Sequence, residues 1–220
     1  MKKTAVVFGA TGLVGKELVK ALLDNNLYGK IIIVARKTLP IVDQKLEQLL
    51  LDDFSDLVNY HNRLKANEFF CCIGTTIKTA GSQEAFRKVD FEIPVQVAKL
   101  AQELRIQNLV IISSIGADAK TGNFYLRTKG EMEHAVKEAY KGNLKIVRPS
   151  LLIGDRREFR FGERVAVFIM KLLGWLFVGP LKRFRGIKAR AVANAMIRVT
   201  QLPVEKIIIE SDELYDYQIS

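Results

Sequence analysis

Val6-Val7-Phe8-Gly9-Ala10-Thr11-Gly12-Leu13-Val14-Gly15 is the stretch that decides the fold of this chain. An apolar run of strand character breaks at Gly9, and from Lys16 to Leu23 the residues read as a helix. A strand, a glycine turn and a helix therefore follow one another. Glycines at 9, 12 and 15 let the backbone come close to a ligand. The first amide groups of the helix, at the positive end of its dipole, then face that ligand. Such a place suits a pyrophosphate. The spacing Gly-x-x-Gly-x-x-Gly is one residue away from the usual dinucleotide fingerprint, and by itself it describes a plain strand-to-helix turn equally well. The chain that follows has to decide.

The 220 residues, 49% of them hydrophobic, suffice for one sizeable core and are too few for two comfortable domains, so one domain over 1–220 is expected. No window of about 18 uncharged apolar residues occurs. Met1-Lys2-Lys3 leads straight into a strand without a cleavable signal pattern, and the resulting expectation is a cytoplasmic protein. The only cysteines, Cys71 and Cys72, are neighbours in an apolar run and read as core residues rather than a bridge or metal site. His61 and His134 stand far apart and argue for no metal. A formal net charge of +10 implies anionic company: cofactor phosphates, nucleic acid or an acidic membrane. The excess gathers late, in Arg156, Arg157, Arg160, Arg164, Lys182, Arg183, Arg185, Lys188 and Arg190. Neither an aromatic stacking pattern, a helix-turn-helix nor metal-ligand spacing accompanies it, so nucleic acid ranks last among these partners.

Downstream of the glycine turn, Lys30–Ala35 is a continuous β-branched run of the kind buried on both faces of a parallel sheet. Arg36 and Lys37 follow at once. At the end of this strand in dinucleotide folds an acid holds the ribose 2′-hydroxyl, whereas arginine accommodates a 2′-phosphate; two cations here favour NADP(H) over NAD(H). Glu47–Leu51 reads as a third strand, closed by Asp52-Asp53-Phe54, with Ser55 or Asp56 to cap a brief helix through Leu64. Glu68–Ile73 is a fourth strand that ends in Gly74-Thr75-Thr76, a second turn for the same crevice. Ser82–Arg105 is helical, with Pro94 breaking or restarting it. Asn108–Ile112 is a fifth strand, which delivers Ser113 and Ser114 to the sheet's mouth. Leu144–Val147 forms a sixth, and after a helix through Val199 a last strand at Lys206–Ile209 closes the sheet, leaving an acidic tail free to fray. The whole reads as an α/β fold, a doubly wound Rossmann-type parallel sheet, with residues about 150–190 forming a small substrate-side region.

A helix starting at Asn123 carries Tyr125 and Lys129 four residues apart, hence on one face. A tyrosine with a pKa near 10 is a poor acid or base at neutral pH, and an adjacent ammonium favours its ionised form. Such a tyrosine can pass a proton to a carbonyl oxygen as hydride arrives, while the Ser114 hydroxyl, or that of Ser113, holds the oxygen. The spacing means little alone; its position after the serine-bearing fifth strand gives it weight.

Together Gly9–Gly15, Ser113–Ala117, Tyr125 with Lys129, and Arg148-Pro149-Ser150 resemble the short-chain dehydrogenase/reductase superfamily. Phe70–Thr76, Ser113–Asp118, Lys129-Gly130-Glu131 and Arg148–Arg156 are similar to its atypical subgroup, that of the oxidoreductase Tat-interacting protein. The resemblance implies that Thr11, Gly12, Leu13 and Val14 hold the pyrophosphate, Arg36 and Lys37 the 2′-phosphate, and that Asp53 approaches the adenine. It further implies Ile73 and Gly74 along the middle of the cofactor, Tyr125 and Lys129 as catalytic pair with Lys129 also on the nicotinamide ribose, and Pro149, Leu151 and Leu152 near the nicotinamide. Arg160 would close over the cofactor. Two departures stand out: the serine lies closer to the tyrosine than in most members, and the C-terminal region is too short to imply a sugar-nucleotide site.

Val165–Leu181 is apolar but interrupted by Lys171 and Gly174, too broken for a comfortable span. A core or cleft-wall helix is its first reading, and an amphipathic contact with an anionic membrane, Trp175 at the boundary, its second. The expectation for the whole is an NADPH-dependent reductase of a small carbonyl compound. The rival is an NADPH-sensing regulatory module that engages a protein or membrane partner with little turnover.

Overall fold

The computed structural model describes residues 1–154 and 185–217. Arg160, the basic residues Arg156, Arg157, Arg164, Lys182 and Arg183, and the apolar stretch Val165–Leu181 lie outside the described residues. In chain order the elements are β1 (Lys3–Phe8), α1 (Leu13–Asp24), β2 (Tyr28–Ala35), β3 (Leu46–Leu50), a 3₁₀ helix (Phe54–Tyr60), β4 (Glu68–Cys71), α2 (Ile77–Ala80) and α3 (Gln83–Arg87). A π turn (Lys88–Glu92), α4 (Ile93–Glu103), β5 (Asn108–Ile112), α5 (Phe124–Ala139) and β6 (Asn143–Arg148) follow. Then come β7 (Leu152–Ile153), β8 (Ile187–Lys188), α6 (Ala189–Val199), β9 (Ile208–Glu210) and a 3₁₀ turn (Glu213–Tyr215).

Seven strands form one sheet in the order β3-β2-β1-β4-β5-β6-β9, and every neighbouring pair is parallel. Strands buried on both faces need apolar residues at successive positions, which is why Ala5–Phe8 and Ile31–Ala35 are continuous apolar runs with no alternation. One face packs against α1 and α6, through residues such as Val7, Leu18, Val19, Val192 and Met196. The other packs against α4 and α5, through Val6, Phe8, Val97, Leu100, Met132 and Val136. Cys71 lies within this second core and Cys72 packs beside the first, and both are unbridged. Burial pushes the Cys71 thiol up to about 11, so it behaves as a small apolar group.

Several local expectations are corrected. The brief helix after β3 is a 3₁₀ helix that begins at Phe54, ahead of Ser55 and Asp56, and ends at Tyr60, short of Leu64. The last strand begins two residues later than Lys206. The fully buried Lys145 ammonium takes the carbonyls of Pro203 and Lys206, at 2.5 and 2.8 Å, and the chain bends around it before pairing with β6. The acidic tail does not fray over its described part: Leu214 is fully buried and the Tyr215 hydroxyl donates to the Gly186 carbonyl at 2.7 Å.

The carboxyl edge of β6 is fixed by charge. Arg148 donates to Glu133 of α5 at 2.9 and 2.6 Å, to Glu210 of β9 at 2.9 Å and to the Ala117 carbonyl at 3.2 Å. One guanidinium thus joins a strand, its neighbour, a helix and the loop after β5. Arg148→Met is expected to cost about 3 kcal/mol or more in urea unfolding, because Glu133, only 3% exposed, would keep a buried charge without its partner. A loss below 1 kcal/mol would mean that the network is dispensable.

Candidate active site

The strand order reverses between β1 and β4, since the chain builds outward from β1 through β2 to β3 and then returns to the other side of β1. Ligands of open parallel sheets bind in the crevice at such a reversal, outside the carboxyl ends of the strands. Here the two turns that emerge there are Gly9–Gly12 and Gly74–Thr76. Gly9 has a φ of +80°, and a Cβ on it would meet the Cys72 backbone at 2.8 Å. At Gly15 a Cβ would stand 2.2 Å from the Gly9 carbonyl oxygen, so α1 can approach β1 this closely only with glycine there. Helices α2, α3 and α5 are capped by the side chains of Thr76, Ser82 and Asn123, whereas α1 starts at Gly12 without a side-chain cap. Its first amide groups are left for a ligand, which is the arrangement a pyrophosphate needs.

Tyr125 and Lys129 sit in the first two turns of α5 and both line a cavity of about 560 Å³ with Gly12, Leu13, Val14, Ile73 and Gly74. They are held from the facing helix. The Phe86 ring, fully buried, lies 5.6 Å from the Tyr125 ring, and Asp90 Oδ1 lies 2.7 Å from Lys129 Nζ, a close ion pair though not aligned as a hydrogen bond. An i, i+4 pair on one helix thus docks on an i, i+4 pair on the other. Burial alone would push the Lys129 ammonium down, but Asp90 and then Tyr125 oppose it, and the net direction is up. Lys129 is followed by Gly130, where a Cβ would stand 2.2 Å from the Ala119 amide. The glycine, unfavourable inside a helix by about 1 kcal/mol relative to alanine, lets α5 press against the loop after β5.

Neither Asp90 nor Phe86 was singled out from the sequence. The available signal is Pro94. In an α-helix its ring would collide with the carbonyl four residues back, that of Asp90. The expected break is resolved as a single π turn over Lys88–Glu92, in which the Ile93 amide donates to the Lys88 carbonyl five residues back. Such turns recur at functional sites.

Loops after β5 and β6 complete the cavity. The Ser113 amide donates to Val147 O at 2.8 Å and the Ile115 amide to Pro149 O at 3.1 Å, so the serine loop and the Pro149 loop are laced together. Leu152, in β7, pairs with Ile187 of β8, and the Leu13 side chain lies against Gly154, which brings the Pro149–Gly154 segment over the glycine turn. Ser113, Ser114, Pro149, Leu151 and Leu152 line the cavity, as does the half-buried Cys72. Gly9 and Gly15 form the floor of the turn, outside the lining, and Thr11 is exposed beside them. Arg36 and Lys37 are exposed at the end of β2, on the far side of β1, and Asp53 is exposed after β3; none of the three borders this cavity. Arg160 is outside the described residues.

Residues 5–201 match the NAD dependent epimerase/dehydratase family. The chain is 34% identical over 167 residues to Protein HTATIP2 of Rattus norvegicus, covering 74% of this chain and 69% of the relative. It is 32% identical over 208 residues to the mitochondrial Protein FMP52 of Debaryomyces hansenii, covering 91% and 89%. A solved short chain dehydrogenase family protein from Francisella tularensis superposes with a TM-score of 0.68 at 16% identity, covering 99% of this chain and 100% of that one. Family and fold are those of NAD(P)-dependent dehydrogenases and epimerases. The expectation of a cytoplasmic protein does not survive, because relatives at this similarity are named as mitochondrial. Unbridged cysteines and the absence of a crossing helix among the described residues do not assign a compartment.

Gly15→Ala forces α1 away from β1. It is expected to cost about 1–3 kcal/mol of stability, read as a lower melting temperature. A variant that melts at the wild-type temperature would contradict the close approach described above.

Proposed function

Because the chain belongs to the NAD-dependent epimerase/dehydratase family, within the short-chain dehydrogenase/reductase superfamily, we propose that it reduces a small carbonyl compound with NADPH. The observation that carries this reading is that Tyr125 and Lys129 line one cavity with the glycine turn, Gly74 and the serine loop. The open amide groups at the start of α1 and the tight glycine contacts fit a dinucleotide, with Gly12, Leu13 and Val14 at the pyrophosphate and Ile73 and Gly74 beside its middle. Leu152 borders the nicotinamide end. Bound there, the reduced cofactor supplies a hydride to the carbonyl carbon.

The protein's own residues then serve the oxygen. Tyr125 donates its proton to the developing alkoxide. The Lys129 ammonium, with which Tyr125 interacts electrostatically, stabilises the negative charge left on the phenol oxygen. Ser114 orients the substrate oxygen: it is half-buried, and among the described residues its hydroxyl makes only a long 3.4 Å contact to the Ile115 carbonyl, so it can turn to a ligand. The Ser113 hydroxyl is sealed from solvent and has no hydrogen-bond partner among the described residues, which favours Ser114 as the orienting group. The tilted contact with Phe86, 5.6 Å between ring centroids, packs the Tyr125 ring on one side.

Arg36 and Lys37 support NADPH over NADH. Both are exposed, and neither takes part in an ion pair among the described residues, so a 2′-phosphate would not have to displace an existing partner. Asp53 stands one strand further out, on the adenine side.

Tyr125→Phe is expected to lower reduction of any accepted aldehyde or ketone by roughly 100-fold or more, while NADPH affinity, measured by fluorescence titration, stays within about twofold. Full activity in that variant would remove Tyr125 from the chemistry. Arg36→Ala is expected to weaken NADPH binding by roughly 10-fold, the equivalent of one charge-assisted contact, and to leave NADH binding unchanged. Equal affinity of the wild type for both cofactors would overturn the phosphate assignment.

A further inference from the structure

Lys129 is 3% exposed, and a buried ammonium without a counter-charge gives up its proton. The groups that face it come from three elements: Tyr125 from its own helix, Cys71 from the end of β4 and Asp90 from the π turn. Cys71 supplies no anion near neutrality, since burial pushes its thiol up to about 11. Asp90 is itself 1% exposed and divides its carboxylate, Oδ1 lying 2.7 Å from Lys129 Nζ and Oδ2 accepting the Thr75 amide at 2.8 Å. Gly74, next to Thr75, lies beside both partners: a Cβ there would meet Asp90 Oδ1 at 3.4 Å and Lys129 Nζ at 3.8 Å. One carboxylate therefore ties the π turn to α5 and to the turn after β4.

We propose that Asp90 is a positioning residue that keeps the Lys129 side chain charged and anchored at the site, so that the working unit is Asp90–Lys129–Tyr125 and not the tyrosine–lysine pair alone. The proposal rests on the reading of Tyr125 and Lys129 as the catalytic pair. Its physical content is independent of that reading, because the charge of Lys129 can be followed with neither cofactor nor substrate present. The placement also gives the π turn a purpose: it is the element that carries Asp90, and Pro94 imposes it.

The variant Asp90→Asn keeps a carbonyl oxygen for the Thr75 amide and removes only the charge. In protein labelled with ¹³C at lysine Cε, the Lys129 resonance is identified by its loss in Lys129→Arg, and its titration is followed by NMR. In Asp90→Asn the Lys129 midpoint is expected to fall by about two pH units or more, as for other buried lysines without a partner. In turnover, the pH above which activity declines should move down with it. A Lys129 midpoint that stays where it is in the wild type would overturn the proposal, whatever the turnover. A shifted midpoint in a protein without carbonyl reductase activity would uphold the pairing and refute only the reductase reading. Should Asp90→Asn fold too poorly for NMR, Asp90→Asn/Lys129→Met supplies the answer by urea unfolding. Recovery of stability in the double variant supports the pairing, and a double variant no more stable than the single one overturns it.

Discussion

Every strand of the seven-stranded sheet runs in one direction, so no two neighbours can be joined by a hairpin and each connection has to cross a face of the sheet. That constraint shapes the rest. Helices must cover both faces, which is why the strands are apolar at successive positions, and every turn that follows a strand leaves from the same edge. The glycine turn after β1, the Gly74 turn after β4, the serine loop after β5 and the Pro149 loop after β6 meet because of the direction of the strands, although they are up to about 140 residues apart in a chain of 220.

The two edges of the sheet treat buried polarity differently. At the amino edge, Glu68 is fully buried and accepts from Lys3 at 2.7 Å, Tyr28 at 2.5 Å and Asn108 at 3.2 Å, and Asn143 continues the row by donating to Asn108 at 2.7 Å. This ladder runs across β2, β1, β4, β5 and β6 and ties them together. Burial, and then the neighbouring Glu68, hold the Tyr28 hydroxyl firmly in its protonated form, so it serves as a fixed donor. At the carboxyl edge the polar groups are arranged around open space. Arg148 braces the serine loop and α5 from behind, and Asp90 holds Lys129 from the side. Polar groups of the first kind hold strands together, and those of the second kind leave Tyr125 and Ser114 accessible to a ligand.

The helix from Gln83 to Glu103 shows how a local defect becomes a component. Proline inside a helix removes a donor and crowds the carbonyl four residues back. Widening one turn to π geometry relieves the crowding without breaking the helix, and the turn so formed holds Asp90. With Phe86 one turn earlier, the same helix grips both the ring of Tyr125 and the ammonium of Lys129. Gly130 acts on the opposite side, where the lack of a Cβ lets α5 press on the loop that carries the serines.

Much of this was readable from the chain. Strands announced themselves as apolar runs, helix starts as Ser82 and Asn123, and the glycine spacing together with Tyr125 and Lys129 pointed to one shared crevice, because these signals depend on local geometry: period, turn chemistry and reach along one helix; the short helix that Thr76 caps went unread. Strand ends and the 3₁₀ helix at Phe54–Tyr60 were misplaced by a few residues, since hydrogen bonds to distant groups such as the Lys145 ammonium set those boundaries. Tertiary structure alone supplied Asp90 and Phe86, the different burial of Ser113 and Ser114, and the brace at Arg148. An aspartate inside a helical pattern reads as a solvated residue, and two adjacent serines look alike. Only packing determines which carboxylate is buried against a cation and which hydroxyl is sealed from solvent.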